Sequence, residues 1–153
     1  GADGVKQYVN LQDAILYGGE VLAIWKPWEK VMVSSTTTIS VGLDDERMPL
    51  PFIPPLKSVN EFSYQLKGFR FSFNYTAALP QSRVNTEKFG ELPSDGFHVF
   101  DTGIRKTFKI GKSALQVNLK VENLFDALYY EHLDVMKIPR QGRNFSFHLT
   151  YTF

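Results

Sequence analysis

Apolar side chains recur at every second residue along most of this 153-residue chain. At its end Phe145, Phe147, Leu149, Tyr151 and Phe153 alternate with Asn144, Ser146, His148, Thr150 and Thr152. Successive side chains of a strand point to opposite faces, so a period of two writes one apolar and one polar face. Leu115, Val117, Leu119 and Val121 repeat the pattern, as do Phe69, Phe71, Phe73 and Tyr75, and Phe62, Tyr64 and Leu66. Thr102, Ile104, Lys106 and Phe108 form a further row, with a lysine on the apolar face. A position near a strand end would let that side chain carry its amine to water along its own stem. Two earlier strands, at about 8–26 and 30–43, are less regular. The first contains Gly18-Gly19, a place for a bulge or bend, and the second is rich in Ser and Thr from Ser34 to Thr38. The pattern predicts an all-β chain of seven antiparallel strands. No sustained 3.6-residue period exists, so any helix is a short turn inside a loop.

The connections alternate in length. Lys26-Pro27-Trp28-Glu29-Lys30, Lys67-Gly68 and Ile110-Gly111-Lys112 read as tight turns. Between them lie long polar segments at about 44–55, 80–95 and 125–142, the first carrying Pro49, Pro51, Pro54 and Pro55. In an up-and-down meander every short turn then falls at one end of the sheet and every long loop at the other. Outer-membrane β-barrels have this asymmetry, with short periplasmic turns and long extracellular loops.

Composition excludes several alternatives. Without cysteine the chain has no disulfide framework, thiolate zinc site, Fe–S cluster or cysteine nucleophile. A formal net charge of +1 argues against a nucleic-acid binder, and no apolar run is long enough for a membrane helix. Gly111-Lys112-Ser113 lacks the upstream glycine of a phosphate loop, since that position is Lys106. His98, His132 and His148 are too far apart for a metal-ligand spacing. Asp44-Asp45-Glu46 lacks a glycine-centred calcium loop, and there is no nucleophile elbow.

Alternation alone leaves open what the apolar face meets. It suits the core of a soluble β-barrel binding module for a lipophilic ligand, or the lipid side of a membrane barrel. Aromatic residues near strand ends (Trp25, Trp28, Tyr151, Phe153) suit interfacial girdles, and the loop asymmetry favours the membrane reading. Seven strands leave open edges, which a closed antiparallel barrel does not tolerate. Either residues 5–12 supply a short eighth strand or strands are missing upstream. Residues 1–4 carry no periodicity and read as a tag remnant or disordered start. A segment alone in water is expected to curl its aromatic face inward or to pair its edges with another copy.

Several motifs add to this. Val121-Glu122-Asn123-Leu124-Phe125-Asp126 is followed by Tyr129-Tyr130 and then by Ile138-Pro139-Arg140-Gln141-Gly142-Arg143-Asn144-Phe145. The chain then closes on Thr150-Tyr151-Thr152-Phe153. Together they resemble the C-terminus of TonB-dependent outer-membrane receptors. Upstream, Tyr8-Val9-Asn10, Tyr17-Gly18-Gly19-Glu20, Lys26-Pro27 and Phe52-Ile53-Pro54-Pro55 resemble the family's pattern in the same order, as do Gly96 and Asp101.

The resemblance implies that residues 5–153 are the C-terminal segment of a barrel of roughly 22 strands with a plugged lumen. It implies a bacterial outer-membrane location and partners in the bilayer, the barrel-assembly machinery, the plug domain and TonB. Function would be energised uptake of a large scarce nutrient of the ferric siderophore, haem or cobalamin type, with no catalysis and no cofactor. Phe145, Phe147, Leu149, Tyr151 and Phe153 resemble the signal read by the assembly machinery, to which a bare strand edge offers a template. Glu122, Asn123, Leu124, Phe125 and Asp126, with Gly142 and Arg143, form the family motif. Its Asn and Asp suit turn chemistry where a strand leaves the sheet. Arg83, Lys88, Arg140 and Arg143 are candidate loop contacts for an anionic ligand, although solvated loop charge is the plainer reading.

Overall fold

The computed structural model describes residues 13–153. The start at 1–4, the candidate eighth strand over 5–12 and Tyr8-Val9-Asn10 lie outside the described residues.

Seven strands form one antiparallel sheet in the order of the chain. They are β1 (Ala14–Trp28), β2 (Val31–Asp44), β3 (Lys57–Leu66), β4 (Phe69–Ala78), β5 (Phe97–Ile110), β6 (Ser113–Glu122) and β7 (Asn144–Thr152). A four-residue helix, α1 (Thr86–Phe89), sits inside the connection between β4 and β5. The all-β meander, the segregated loops and the confinement of helix to a loop agree with the sequence pattern.

Two-residue hairpins join β1 to β2, β3 to β4 and β5 to β6. Lys67 and Gly68 both take positive φ, 47° and 78°, the backbone hand that matches the twist of flanking strands. The first hairpin is tighter than its sequence suggests. Trp28 still pairs with Val31, so only Glu29 and Lys30 turn, and the ladder skips between Trp25 and Trp28. The irregularity therefore falls at Lys26-Pro27 and not at Gly18-Gly19, where pairing with Ser40 and Ile39 is unbroken. Proline has no N–H to give a ladder, so a bulge accommodates it. Gly18 serves close approach instead, because a Cβ there would run into the carbonyl oxygen of Ile39.

Cross-strand pairing assigns the faces. Val33, Phe62, Phe73, Thr102, Val121 and Phe145 lie in one row, and Tyr64, Phe71, Ile104, Leu119 and Phe147 in the next on the same face. Arg70, Asn74, Asp101, Arg105, Lys120 and Ser146 take the opposite face. Lys106 belongs to the apolar face by register, opposite Phe69 at the turn end. Its Nζ lies 3.9 Å from the Phe69 ring centre and donates to the carbonyl oxygen of Lys67 at 2.8 Å. The stem thus stays on apolar surface while the charge reaches the hairpin.

The strands are staggered. The row that begins at Trp25 crosses β1 three residues from its turn end but crosses β6, at Val121, eight residues from its turn end. Five residues of climb at ~3.3 Å over five strand spacings of ~4.8 Å amount to a tilt of roughly 30–35°. Closing a sheet into a barrel requires tilt of this order.

Burial is inverted relative to a globular β protein. Over Phe69–Asn74 of β4 and at the start of β7 the phenylalanines are exposed, Phe145 at 73%, while Arg70, Ser72, Asn74, Asn144 and Ser146 between them are partly covered; from His148 onward both faces of the edge strand β7 are exposed. The sheet therefore curves with its polar face inside. Buried apolar residues among those described are Ala78, Phe97 and Val99, beside Tyr129 under the loops. The accessible surface is 11380 Å², against about 7,900 Å² for a compact monomer of this mass.

Because Gly68 holds φ near 78°, Gly68→Val is expected to cost about 1–2 kcal/mol, read as a lower urea midpoint of the folded protein.

Candidate functional site

The three long connections, at 45–56, 79–96 and 123–143, leave the same end of the sheet and are tied to one another by polar contacts. Their centre is Glu91. Its Oε1 accepts the backbone N–H of Phe52 at 2.8 Å and lies 3.1 Å from Nε2 of His132. The other ring nitrogen of His132 lies 2.9 Å from the hydroxyl of Ser94. One carboxylate therefore joins all three loops. The side chains of Glu91 and His132 are 7% and 1% exposed, and Glu91 Oε2 is buried without a partner. The hydrogen-bond chain has the order of a hydrolase triad. The N–H of Ser94 is taken by the carbonyl of Gln81, however, and gives no oxyanion donor there. The cluster acts as a knot between loops.

A second tie joins α1 to the top of β2. Asn85 caps α1 by accepting the N–H of Lys88, and Gly90 closes it in the left-handed conformation. This presents the Lys88 ammonium to Asp44 Oδ2 at 2.7 Å, with Glu46 at 3.8 Å. Asp44 Oδ1 accepts the N–H groups of Glu46 and Met48. The hydrogen bond to Asp44 holds Lys88 above the usual lysine range, against the pull of burial, and the Asp44, Glu46 and Asp45 charges reinforce it. The third tie is Lys57 to Glu131 at 3.2 Å. Tyr129 packs on Phe97 with ring centres 4.5 Å apart, and burial pushes its phenol up.

The Glu122–Asp126 motif forms a clip at the mouth of the last loop. Asn123 and Asp126 take positive φ, 49° and 57°. The Asn123 side chain accepts from the N–H of Ala127 and donates to the carbonyl oxygens of Ala127 and Gln141. Its own N–H donates to Asp101 Oδ1, and the Leu124 N–H donates to the carbonyl of Phe100. Asp126 Oδ1 accepts the N–H of Arg143 at 2.7 Å. A Cβ on Gly142 would sit 2.6 Å from that same oxygen, so the clip leaves room only for glycine. Glu122 accepts from Lys120 and Asn144, and the Phe125 ring meets Phe100 edge-on at 5.3 Å.

The candidate ligand contacts separate into two kinds. Lys88 is committed to Asp44. Arg83, Arg140 and Arg143 are exposed at the loop end, and their guanidinium groups have no ion pair among the described residues. The three histidines do not converge. His98 is on the apolar face, hydrogen-bonded to and stacked with Tyr75, His132 is in the knot, and His148 is on the polar face. Among the described residues no three His, Asp or Glu side chains are placed to hold a metal ion. Phe145, Phe147, Leu149, Tyr151 and Phe153 line one exposed face of the edge strand β7.

Pairing also reveals a charge network on the concave face. Arg70 reaches Glu61 at 3.4 Å, and Lys120 bridges Glu122 at 2.7 Å and Asp101 at 3.9 Å. Nearer the turn end, a hollow of about 480 Å³ has Lys30, Lys67, Arg70 and Arg105 in its lining and no carboxylate. Lys30 and Lys67 lie in hairpin turns and Arg70 and Arg105 on strands, where alternation marks them only as polar. Their convergence depends on register across four strands.

An open antiparallel meander, tilted, polar on its concave side and with its long loops tied together at one end, is a segment of a larger β-barrel. Among solved structures the chain is similar to the copper transporter OprC, with a TM-score of 0.81 over 92% of this chain at 23% identity. The likeness is one of fold, and the chain spans 24% of that transporter's length. No protein-family model matches the sequence, and none of the curated proteins does.

Two outcomes follow from the ties. His132→Leu removes one of the two groups on the Glu91 Oε1 oxygen, and leaving a buried acceptor short of a partner is expected to cost about 1–3 kcal/mol. It should raise hydrogen exchange at Phe52 while the strand ladder stays protected. Because the folded value of Lys88 is raised, its tie is fully present below the ordinary lysine range and is lost as pH rises through the folded value, above ~10.5. An alkaline-active protease should therefore cut within 79–96 faster above that pH, and Lys88→Met should bring the same cleavage to neutral pH.

Proposed function

We propose that the chain is the C-terminal barrel segment of a TonB-dependent outer-membrane receptor, a transporter that makes and breaks no covalent bond in its cargo. The observation that carries this reading is the inverted burial. Phenylalanine rows stand outward on the convex face, and a paired charge network covers the concave one. Lipid outside and a wet lumen inside reward that arrangement, and a soluble module with an apolar core does not. The aromatic ends of the convex face support it further. On β5, His98 and Phe108 stand ten residues apart. Along a strand tilted by 30–35° this is a height of roughly 25–30 Å, about the thickness of a bilayer core.

On this reading the edges of β1 and β7, which no other described strand covers, pair with strands of the same barrel. A plug domain and a TonB-binding segment lie upstream, and the barrel-assembly machinery reads the β7 face. The motif resemblance and the likeness in fold to a copper transporter both support transport. For the cargo we propose an anionic metal chelate of the ferric siderophore type. Arg83, Arg140 and Arg143 offer unpaired cations at the loop end, whereas no three-ligand cluster for a bare ion occurs among the described residues.

The test uses the complete protein in a bacterial host. Leu119→Arg places a charge on the convex face and is expected to cost ~2–4 kcal/mol in lipid, while Asn118→Arg faces the lumen and is tolerated. Outer-membrane fractions should contain heat-modifiable wild type and Asn118→Arg, and little Leu119→Arg. A wild-type chain recovered soluble without detergent would overturn the membrane reading. Growth rescued by copper salts and not by ferric chelates would overturn the cargo.

A further inference from the structure

The turn end of the sheet is strongly basic. The three hairpins and the residues beside them carry Lys26, Lys30, Lys67, Lys109 and Lys112, with Glu29 as their one acid. Lys106 adds a sixth amine by reaching down to the Lys67 carbonyl. The opposite end is mixed, because there Lys88 and Lys57 pair with Asp44 and Glu131. Neither Lys26 nor Lys30 has an ion pair among the described residues.

Below β1 this basic rim meets a groove of about 790 Å³ lined by Lys26, Trp28, Lys30, Val31 and Tyr64, with Glu29 at its side. The register places Trp28, Val31 and Tyr64 side by side on the convex, apolar face. Trp28 is 70% exposed although it is the largest apolar side chain of the hairpin. The bulge at Lys26-Pro27 is what brings Trp28 onto this face, since without the skipped residues it would fall out of step with Trp25.

We propose that this groove binds an anionic glycerophospholipid, with Lys26 and Lys30 on its phosphate and its acyl chains over Trp28, Val31 and Tyr64. The inference rests on the transmembrane reading, which sets the turn end at the membrane surface. Charge complementarity selects an anionic headgroup, and each lysine near an anionic surface strengthens binding about fivefold, equivalent to ~1 kcal/mol. The apolar, lipid-facing wall selects a lipid over free phosphate. An indole or phenol beside an amine at headgroup depth also suits the interfacial zone, where each presents an apolar body and a polar tip.

The complete protein, extracted in mild detergent and placed in nanodiscs of phosphatidylcholine with one-fifth phosphatidylglycerol, is examined by native mass spectrometry for retained lipid. Wild type should retain phosphatidylglycerol above its share of the bilayer. The double substitution Lys26→Gln, Lys30→Gln should reduce that enrichment on the order of tenfold or more. Trp28→Ala should shorten retention of both lipids, and Lys137→Gln at the loop end should change nothing. Equal retention of the two lipids by wild type, or enrichment unchanged in the double variant, overturns the site. Displacement of the lipid by millimolar inorganic phosphate would also overturn it, since the site would then be one for free phosphate. A protein that does not enter nanodiscs overturns the transmembrane reading together with this site. One that enters and shows no lipid preference overturns the site alone.

Discussion

The cross-strand backbone ladder is the constraint on which the rest of this structure depends. Six antiparallel pairings run without interruption except at Lys26-Pro27, and they hold the sheet together with almost no apolar core. In water that combination is poor, because side-chain burial is the main force favouring folding. In hydrocarbon the balance changes. An unpaired backbone amide there costs several kcal/mol, so the ladder itself becomes the dominant restraint and apolar side chains need only face outward. The same restraint bears most on the outer edges of β1 and β7, which no other described strand covers. Continuation of the sheet on both sides is the arrangement that satisfies them.

Faces and loops divide the remaining work. On the concave face Glu61 pairs with Arg70, and both Asp101 and Glu122 with Lys120, while Glu20 of β1 has no ion pair among the described residues. These contacts are part-exposed, so each is worth little to stability and they chiefly set which charges are left over. At the loop end the polar contacts tie distant segments, and the side chains of Asp44, Glu91 and His132 that anchor them are buried. Glu91 holds Phe52 and His132, and Asp44 holds Lys88. The three loops are therefore a connected cap, and Arg83, Arg140 and Arg143 on it have no ion pair among the described residues.

Much of the sheet was legible in the sequence because period two is local information. Phe145 to Phe153 announce one face without reference to any other strand. The long loops, the turns at Lys67-Gly68 and Gly111-Lys112, and the confinement of helix to a short loop segment follow from equally local signals. Even the misfit of Lys106 carried its answer, since a lysine four residues before the end of its strand can reach the turn. The hand of curvature was not legible. Alternation is symmetric between the faces, so it cannot say which of them is concave. Gly18-Gly19 offers a place for a bulge or bend, yet the missing N–H of Pro27 sets the bulge between Trp25 and Trp28.

The knot was illegible for a different reason. Glu91 and His132 are 41 residues apart, and Lys88 and Asp44 are 44 apart. Nothing in either neighbourhood marks a partner at that distance. Lys88 was grouped with Arg83, Arg140 and Arg143 as a loop cation. What separates it is the cap of α1, in which Asn85 fixes the first turn and aims Lys88 back at β2. A four-residue helix thus has a specific consequence. It converts one of the loop cations into a tether and leaves Arg47, Arg83, Arg140 and Arg143 without an ion pair among the described residues. Residues of one chemical class at one end of a sheet therefore differ in availability according to what the backbone brings beside them. That distinction becomes visible only once the loops are folded over one another.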